Sequence, residues 1–65
     1  MTDYKDRMKE EHAELSHRIA KLDTFINTNP TFKDLAIEEQ ADLKKQLHIM
    51  LEYEKVLWRR YQRVC

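Results

Sequence analysis

The sequence predicts an all-α fold, an antiparallel two-helix hairpin with a short helical elbow that assembles into a homo-oligomeric helical bundle. Two long segments repeat apolar residues at the spacing of an amphipathic helix. Glycine is absent, and the only proline lies between these segments. A short connection lets the two apolar stripes meet, so we expect the second helix to fold back on the first as an αα-hairpin.

We expect one domain over residues 1–65, because the apolar pattern is interrupted only once. The first helix is expected at about residues 3–27, the elbow at residues 28–36, and the second helix at about residues 37–63. Thr2 or Asp3 can cap the first helix. The apolar residues of that helix form two adjacent rows with a seven-residue period. One row is Met8, Leu15 and Leu22, the other holds Tyr4 and Phe25 with Glu11 and Arg18 between them, and Ile19 and Ile26 also recur at helical spacing.

The elbow is predicted from the string NTNPTF. Pro30 disfavours a helical conformation at Asn29, so Asn29 is expected to cap a short turn that has Pro30 at its first position. Phe32 and Leu35 are spaced to pack this turn against the two helices. The elbow therefore reverses the chain without glycine.

The second helix has acidic residues near its start and arginines near its end, an order that suits the helix dipole. Its inner row has a seven-residue period and is formed by Leu43, Met50, Leu57 and Val64. Several further large residues do not all fit one narrow seam between two helices. These are Ile49, Tyr53, Trp58 and Tyr61. This surplus apolar surface is the first reason to expect self-association.

Chain length is the second reason. A domain of 65 residues buries a small core and usually needs a disulfide, a metal or a partner chain. Cys65 is the only cysteine, which excludes an internal disulfide and fits a reducing compartment such as the cytoplasm. His12 and His17 are five residues apart and point to different sides of a helix, so we expect no metal site and no cofactor.

The charge balance narrows the possible partners. The chain has 12 basic and 12 acidic residues and a formal net charge of zero. A non-specific DNA or membrane binder would need a basic excess, so we expect neither partner. No apolar run reaches the length of a membrane span, and the first residues are too polar for a signal peptide. No Ser–His or Cys–His arrangement can be placed by spacing, so we expect no catalysis.

Polar residues on the apolar stripes are open to two interpretations. Glu11 and Arg18 lie on the inner rows of the first helix, and Gln46 and Arg60 share a row of the second helix with Tyr53. They can form ion pairs and hydrogen bonds that fix the register of the helices. Alternatively, the arginines point into a polar pocket of an oligomer and bind an anion there.

Two residue pairs allow a similar choice. Lys21 and Thr24 are three apart, on neighbouring positions of one helix face. They are either ordinary surface residues or joint donors to a phosphate. Tyr4 and Arg7 have the same spacing, and a ring beside a guanidinium suits a base stacked next to its phosphate.

The sequence resembles a known family across nearly its whole length. The matching features are Tyr4 with Arg7, the run RIAKLDTFI, the NPTFKDL elbow, the run QLHIMLEY and the following Arg60. Together they resemble the phage-encoded anti-CBASS cyclic-nucleotide sponges, whose helical hairpin is shared with sponges that counter Thoeris defence.

The resemblance implies a protein that binds cyclic dinucleotides and trinucleotides without cleaving them, in the cytoplasm of the infected bacterial cell. It implies compact homo-oligomers, typically hexamers, with pockets between protomers. On this basis Tyr4 stacks on a base, Lys21 and Thr24 contact phosphate, and Arg60 belongs to a trinucleotide site. Arg7 joins them from its spacing to Tyr4. The rival hypothesis is a helical-hairpin oligomerisation or adaptor module that binds another protein; a small enzyme subunit is a distant third.

Overall fold

The computed structural model describes residues 4–64 and shows an all-α hairpin. Helix α1 covers Tyr4–Thr28, the short α2 covers Thr31–Asp34, and α3 covers Ile37–Val64. Helices α1 and α3 pack side by side and run antiparallel, giving a rod with extents of 45 × 18 × 15 Å. The predicted all-α antiparallel hairpin is confirmed.

The core is a single layer of apolar side chains between α1 and α3. Met8, Leu15 and Ile19 are buried on α1, and Leu57 on α3 is fully enclosed with 0% exposure. Burial of such side chains from water is the main stabilising contribution to the hairpin. The core is flanked by half-buried residues of α3, which are Leu47, Met50, Tyr61 and Val64. The predicted α1 row of Met8, Leu15 and Leu22 and the predicted α3 row therefore face the interior. The second predicted row of α1 does not, because Tyr4, Glu11 and Arg18 are exposed, and Ile19 takes the inner position instead.

The elbow forms around Asn29 and Pro30. Pro30 has helical dihedral angles, φ −64° and ψ −21°. The Asn29 side-chain Oδ1 accepts a hydrogen bond of 2.9 Å from the backbone N–H of Thr31, so it satisfies an otherwise free amide at the start of α2. Phe32 is buried and meets Phe25 edge-on, with ring centroids 6.0 Å apart. This contact packs α2 against α1, as its spacing predicts.

Gln40 fastens the elbow to α3. Its side-chain Nε2 donates to the backbone carbonyl of Leu35 at 2.8 Å and to that of Lys33 at 3.3 Å. The Lys33 carbonyl lies in the last turn of α2 and the Leu35 carbonyl directly follows α2, where helix carbonyls have no partner within the helix. The predicted cap at Thr2 or Asp3 lies outside the described residues.

Candidate functional site

One broad face of the hairpin carries most of the candidate residues. Beside the core, each long helix has a row of residues spaced alternately three and four apart, and such residues share one flank of a helix. A hydrogen bond between Tyr53 and Glu11 joins the two rows. We call this surface the Tyr53 face. From α1 it comprises Tyr4, Arg7, Glu11, Glu14, Arg18, Lys21 and Phe25, and from α3 Asp42, Gln46, Ile49, Tyr53, Val56, Arg60 and Arg63.

The Tyr53 hydroxyl donates to the Glu11 carboxylate across the hairpin. This hydrogen bond, with lesser effects from burial and from the negative charge of Glu11, raises the pKa of Tyr53 above its ordinary value of 10.0. The positive charge of Arg60 acts in the opposite direction. Tyr53, Glu11 and Arg60 therefore form one electrostatic group near the end of the rod where α1 begins and α3 ends, which we call the open end.

The structure separates the predicted binding residues into two groups. Tyr4, Arg7 and Arg60 are exposed and lie toward the open end. Lys21 and Thr24 are also exposed but lie toward the elbow. At the helical rise per residue, Arg7 and Lys21 are about 20 Å apart along α1. One chain therefore does not bring these groups to a single small ligand.

Thr24 differs from the other four candidates in direction. The helical repeat turns it away from the Tyr53 face toward the outer surface of α1. Its backbone carbonyl accepts a hydrogen bond from the Thr28 hydroxyl at 2.6 Å. Lys21 lies at the edge of the face, so a phosphate held by both side chains would sit on the flank of α1 and not between the helices.

The polar residues on the stripes show features of both interpretations. Glu11 is engaged across the hairpin by Tyr53, as expected of a contact that fixes helix register. The Arg18 side chain makes no ion pair or hydrogen bond with any residue of the described range 4–64. Gln46 has only a 4.0 Å contact from its Nε2 to the Met50 sulfur. Arg18 is thus available to an acidic group outside its own chain.

The opposite face carries an aromatic cluster of His12, Trp58 and Tyr61. The sequence predicts Trp58 and Tyr61 only as part of a surface for self-association. The Trp58 ring stacks on Tyr61 with centroids 5.7 Å apart and lies 5.1 Å from the His12 ring. His12 Nε2 is also 3.6 Å from a Glu54 oxygen, an ion pair when the imidazole is protonated. Behind Trp58 is an open cavity of about 440 Å³ that contains none of the candidate residues. It is lined by Glu52, Lys55, Trp58 and Arg59.

Metal and membrane features were searched over residues 4–64. Within that range, no three His, Cys, Asp or Glu side chains are grouped so that they could hold a metal ion. None of the helices described is both long enough and apolar enough to cross a membrane.

Comparison with known proteins gives one match. A protein-family model described as Sequestin matches residues 2–63. No curated protein and no solved structure matches the chain. The family match covers almost the full sequence, and its name agrees with the resemblance to a sequestering family of phage anti-defence proteins.

Proposed function

Because the chain belongs to the Sequestin family, we propose that it binds cyclic di- and trinucleotide second messengers and withholds them from CBASS-like defence signalling without cleaving them. The observation that carries this proposal is the clustering of Tyr4, Arg7 and Arg60 toward the open end of the Tyr53 face. All three side chains are exposed there. The nearest acid on the face, Glu11, is already engaged by Tyr53.

This arrangement suits the chemistry of a cyclic oligonucleotide. Such a ligand presents anionic phosphates and flat bases, which are recognised by guanidinium groups and aromatic rings. Tyr4 would stack on a base, while Arg7 and Arg60 would donate to phosphate oxygens. The hydrogen bond from Tyr53 to Glu11 keeps that carboxylate occupied, which reduces its competition with phosphate for the arginines.

The second group of candidate residues, Lys21 and Thr24, extends the proposal. Lys21 and Thr24 would donate to phosphate from the elbow half of α1. Since they are far from Tyr4 on their own chain, this role requires a pocket between protomers. We propose a homo-oligomer, in the form of the hexamer that the resemblance implies, acting in the cytoplasm of the infected bacterial cell. No catalytic group takes part in this mechanism.

Isothermal titration calorimetry against a panel of cyclic mono-, di- and trinucleotides tests the proposal. We expect heat with at least one cyclic di- or trinucleotide, and intact ligand after the protein is denatured. The absence of heat with every member would refute the sponge hypothesis. Recovery of cleaved ligand would instead favour an enzyme.

The residue assignments have a matched test. Tyr4→Ala and Arg60→Ala should each weaken binding by about tenfold or more, since stacking of a base on an aromatic ring contributes about 1–3 kcal/mol and a charge-assisted hydrogen bond about 1.5–3 kcal/mol. Arg59→Ala is the control, because Arg59 is adjacent in sequence but lies off the Tyr53 face. Each variant is checked by light scattering. If Tyr4→Ala and Arg60→Ala break up the oligomer, their role is structural.

The second candidate function is a protein-binding adaptor. It is favoured by Trp58 and Leu51 on the opposite face, which are 45% and 39% exposed in the described part of the chain. An adaptor would give no heat with any nucleotide of the panel.

A further inference from the structure

We propose that the open cavity behind Trp58 is a second ligand site, and that it binds a small planar aromatic carboxylate. The ring of this ligand stacks on Trp58, and its carboxylate accepts hydrogen bonds from Arg59. We call this cavity the Trp58 cavity. It contains none of the residues assigned to cyclic-nucleotide binding, so the site stands independently of the function proposed above.

The Trp58 cavity has the size of a small-molecule site. Its volume is about 440 Å³, and ligand pockets of proteins commonly measure about 300–1,000 Å³. The lining residues Glu52, Lys55, Trp58 and Arg59 all belong to α3 and fall within two turns of that helix. A single chain therefore carries the cavity, whatever the arrangement of neighbouring copies.

Trp58 supplies the stacking surface. Its side chain is 45% exposed, so part of the indole is open to a ligand. The same indole stacks on the Tyr61 ring at 5.7 Å with an interplanar angle of 27°, and the His12 ring lies 5.1 Å away. These two contacts hold the indole in one orientation, which lowers the entropy cost of binding a flat ring against it.

Both long helices take part in positioning this indole. Tyr61 is half-buried and packs against the core between α1 and α3. His12 comes from α1, and its Nε2 is 3.6 Å from a Glu54 oxygen of α3. The stacking surface is thus tied to the rigid part of the hairpin and is not a freely rotating side chain.

Arg59 supplies an available cation beside this surface. Its side chain makes no ion pair or hydrogen bond with residues 4–64. A guanidinium can donate two parallel hydrogen bonds to one carboxylate, which fixes the direction of the bound group as well as its charge. Since Arg59 directly follows Trp58, a carboxylate attached to a stacked ring lies within reach of it.

The charges of the lining select an anion with a single charge. Lys55 Nζ is 3.5 Å from a Glu52 oxygen, so these two charges offset each other. Glu52 and Arg59 are two helical turns apart, about 10 Å along the axis, which leaves Arg59 uncompensated. A carboxylate carries one negative charge at neutral pH, whereas a phosphate monoester carries about 1.5–2. The carboxylate is therefore the closer match.

The ring of the ligand is as necessary as its charge. An exposed guanidinium holds a simple anion weakly, because water and salt screen the attraction. Stacking on Trp58 removes both rings from water and adds the preferred geometry of an aromatic pair. A ligand that has only one of the two groups should accordingly bind poorly.

A nuclear magnetic resonance titration with three small molecules tests the site. Trp58 is the only tryptophan of the chain, so its indole N–H gives a single, unambiguous signal. Naphthoate should shift this signal in a saturable manner. Naphthamide keeps the ring without the charge, and cyclohexanecarboxylate keeps the charge without a flat ring. Each should bind at least about tenfold more weakly than naphthoate.

A pair of arginine variants locates the carboxylate. Arg59→Gln should weaken naphthoate binding by about tenfold or more, because the charge-assisted hydrogen bonds are lost. Arg18→Gln is the matched control, since the Arg18 side chain is also exposed and without an ion pair among residues 4–64 but lies on the Tyr53 face. Circular dichroism checks that both variants keep their helices.

The outcomes decide the assignment. A saturable shift that is weakened in Arg59→Gln and retained in Arg18→Gln supports the Trp58 cavity as a carboxylate site. The site is refuted if naphthoate gives no saturable shift, if naphthamide binds equally well, or if Arg59→Gln binds like wild-type protein. Equal weakening in Arg18→Gln also refutes it. No nucleotide is present, so none of these results bears on the calorimetric test of the sponge hypothesis.

Discussion

Leu57 is the side chain on which the contact between α1 and α3 depends most. It has 0% exposure and touches the α1 residues of the core. Leu57→Ala should lower the free energy of unfolding by about 2–5 kcal/mol, because it removes buried methyl groups and leaves a cavity. Urea denaturation followed by circular dichroism measures this loss. Leu51→Ala is the matched control, since Leu51 is 39% exposed. Equal losses would contradict the assigned core.

Tyr53 provides a prediction about pH. Its hydrogen bond to Glu11 raises the pKa of the phenol, so tyrosinate absorbance should appear at higher pH than for an ordinary tyrosine. A spectrophotometric titration of wild-type protein against Tyr53→Phe isolates this group. Glu11→Gln should bring the pKa of Tyr53 back toward 10.0. A Tyr53 titration unchanged by Glu11→Gln would contradict the hydrogen bond as its cause.

The direction of this shift fixes how stability depends on pH. The folded chain holds the Tyr53 proton more tightly than the unfolded chain does, so folding is favoured while the phenol is protonated. The contribution is fully present below pH 10.0 and is lost as the pH rises through the higher folded value. Between pH 10.0 and that higher value, wild-type protein should therefore lose stability with rising pH more steeply than Tyr53→Phe, which lacks the titrating group, when urea denaturation is repeated over a series of pH values.

The burial of a single residue could be predicted from the sequence where the residue belongs to a row of apolar side chains with a seven-residue period. The seven-residue row of α1 correctly predicts Met8 and Leu15 as core residues. The importance of Tyr53 to the candidate site was not predicted, although it shares a row with Arg60. Its role depends on Glu11, which is distant in sequence and meets Tyr53 only once the two helices take their register.

At the scale of the element, α2 has one stabilising contact between residues close in sequence and another that depends on how the chain continues into α3. The Asn29 cap follows from a proline one residue later, so the sequence alone indicates it. The contact of Gln40 with the backbone of Lys33 and Leu35 depends on the path of the chain after α2. No periodic pattern marks a glutamine in that role. The elbow was thus predictable in position but not in how it is fastened to α3.

The Gln40 contact can be measured. Gln40→Ala should lower the free energy of unfolding by about 1–3 kcal/mol, because it leaves the partly buried carbonyl of Leu35 without a donor. Gln62→Ala makes the same substitution at an exposed position of α3 and should have little effect. Thermal unfolding followed by circular dichroism compares the two variants. If both are equally stable, the Gln40 hydrogen bonds do not hold the elbow.

At the scale of the whole molecule, the sequence predicted the hairpin but not its register. Heptad rows identify the faces of α1 and α3 that meet, yet a row can shift by a helical turn and still bury apolar residues. Side-chain pairs such as Glu11 with Tyr53 decide between these registers. Self-association stays a prediction, supported by the exposed stripe of Ile49, Tyr53 and Val56.

A small hairpin that folds together with its partner should be more stable at higher protein concentration. Association removes folded chains from the unfolding equilibrium, so the melting temperature should rise with concentration. Differential scanning calorimetry over a wide concentration range measures this rise. A melting temperature independent of concentration in wild-type protein would indicate a stable monomer.

The single elbow also determines how the molecule would respond to mechanical force. Helix α1 begins and α3 ends at the same extremity of the 45 Å rod. A pull on those two points would load the interhelix contacts one at a time, from the open end toward Phe32. Such unzipping needs less force than shearing all contacts at once. A pull between the elbow and either end would act along a helix instead, so the hairpin should be mechanically weak in one direction and resistant in the other.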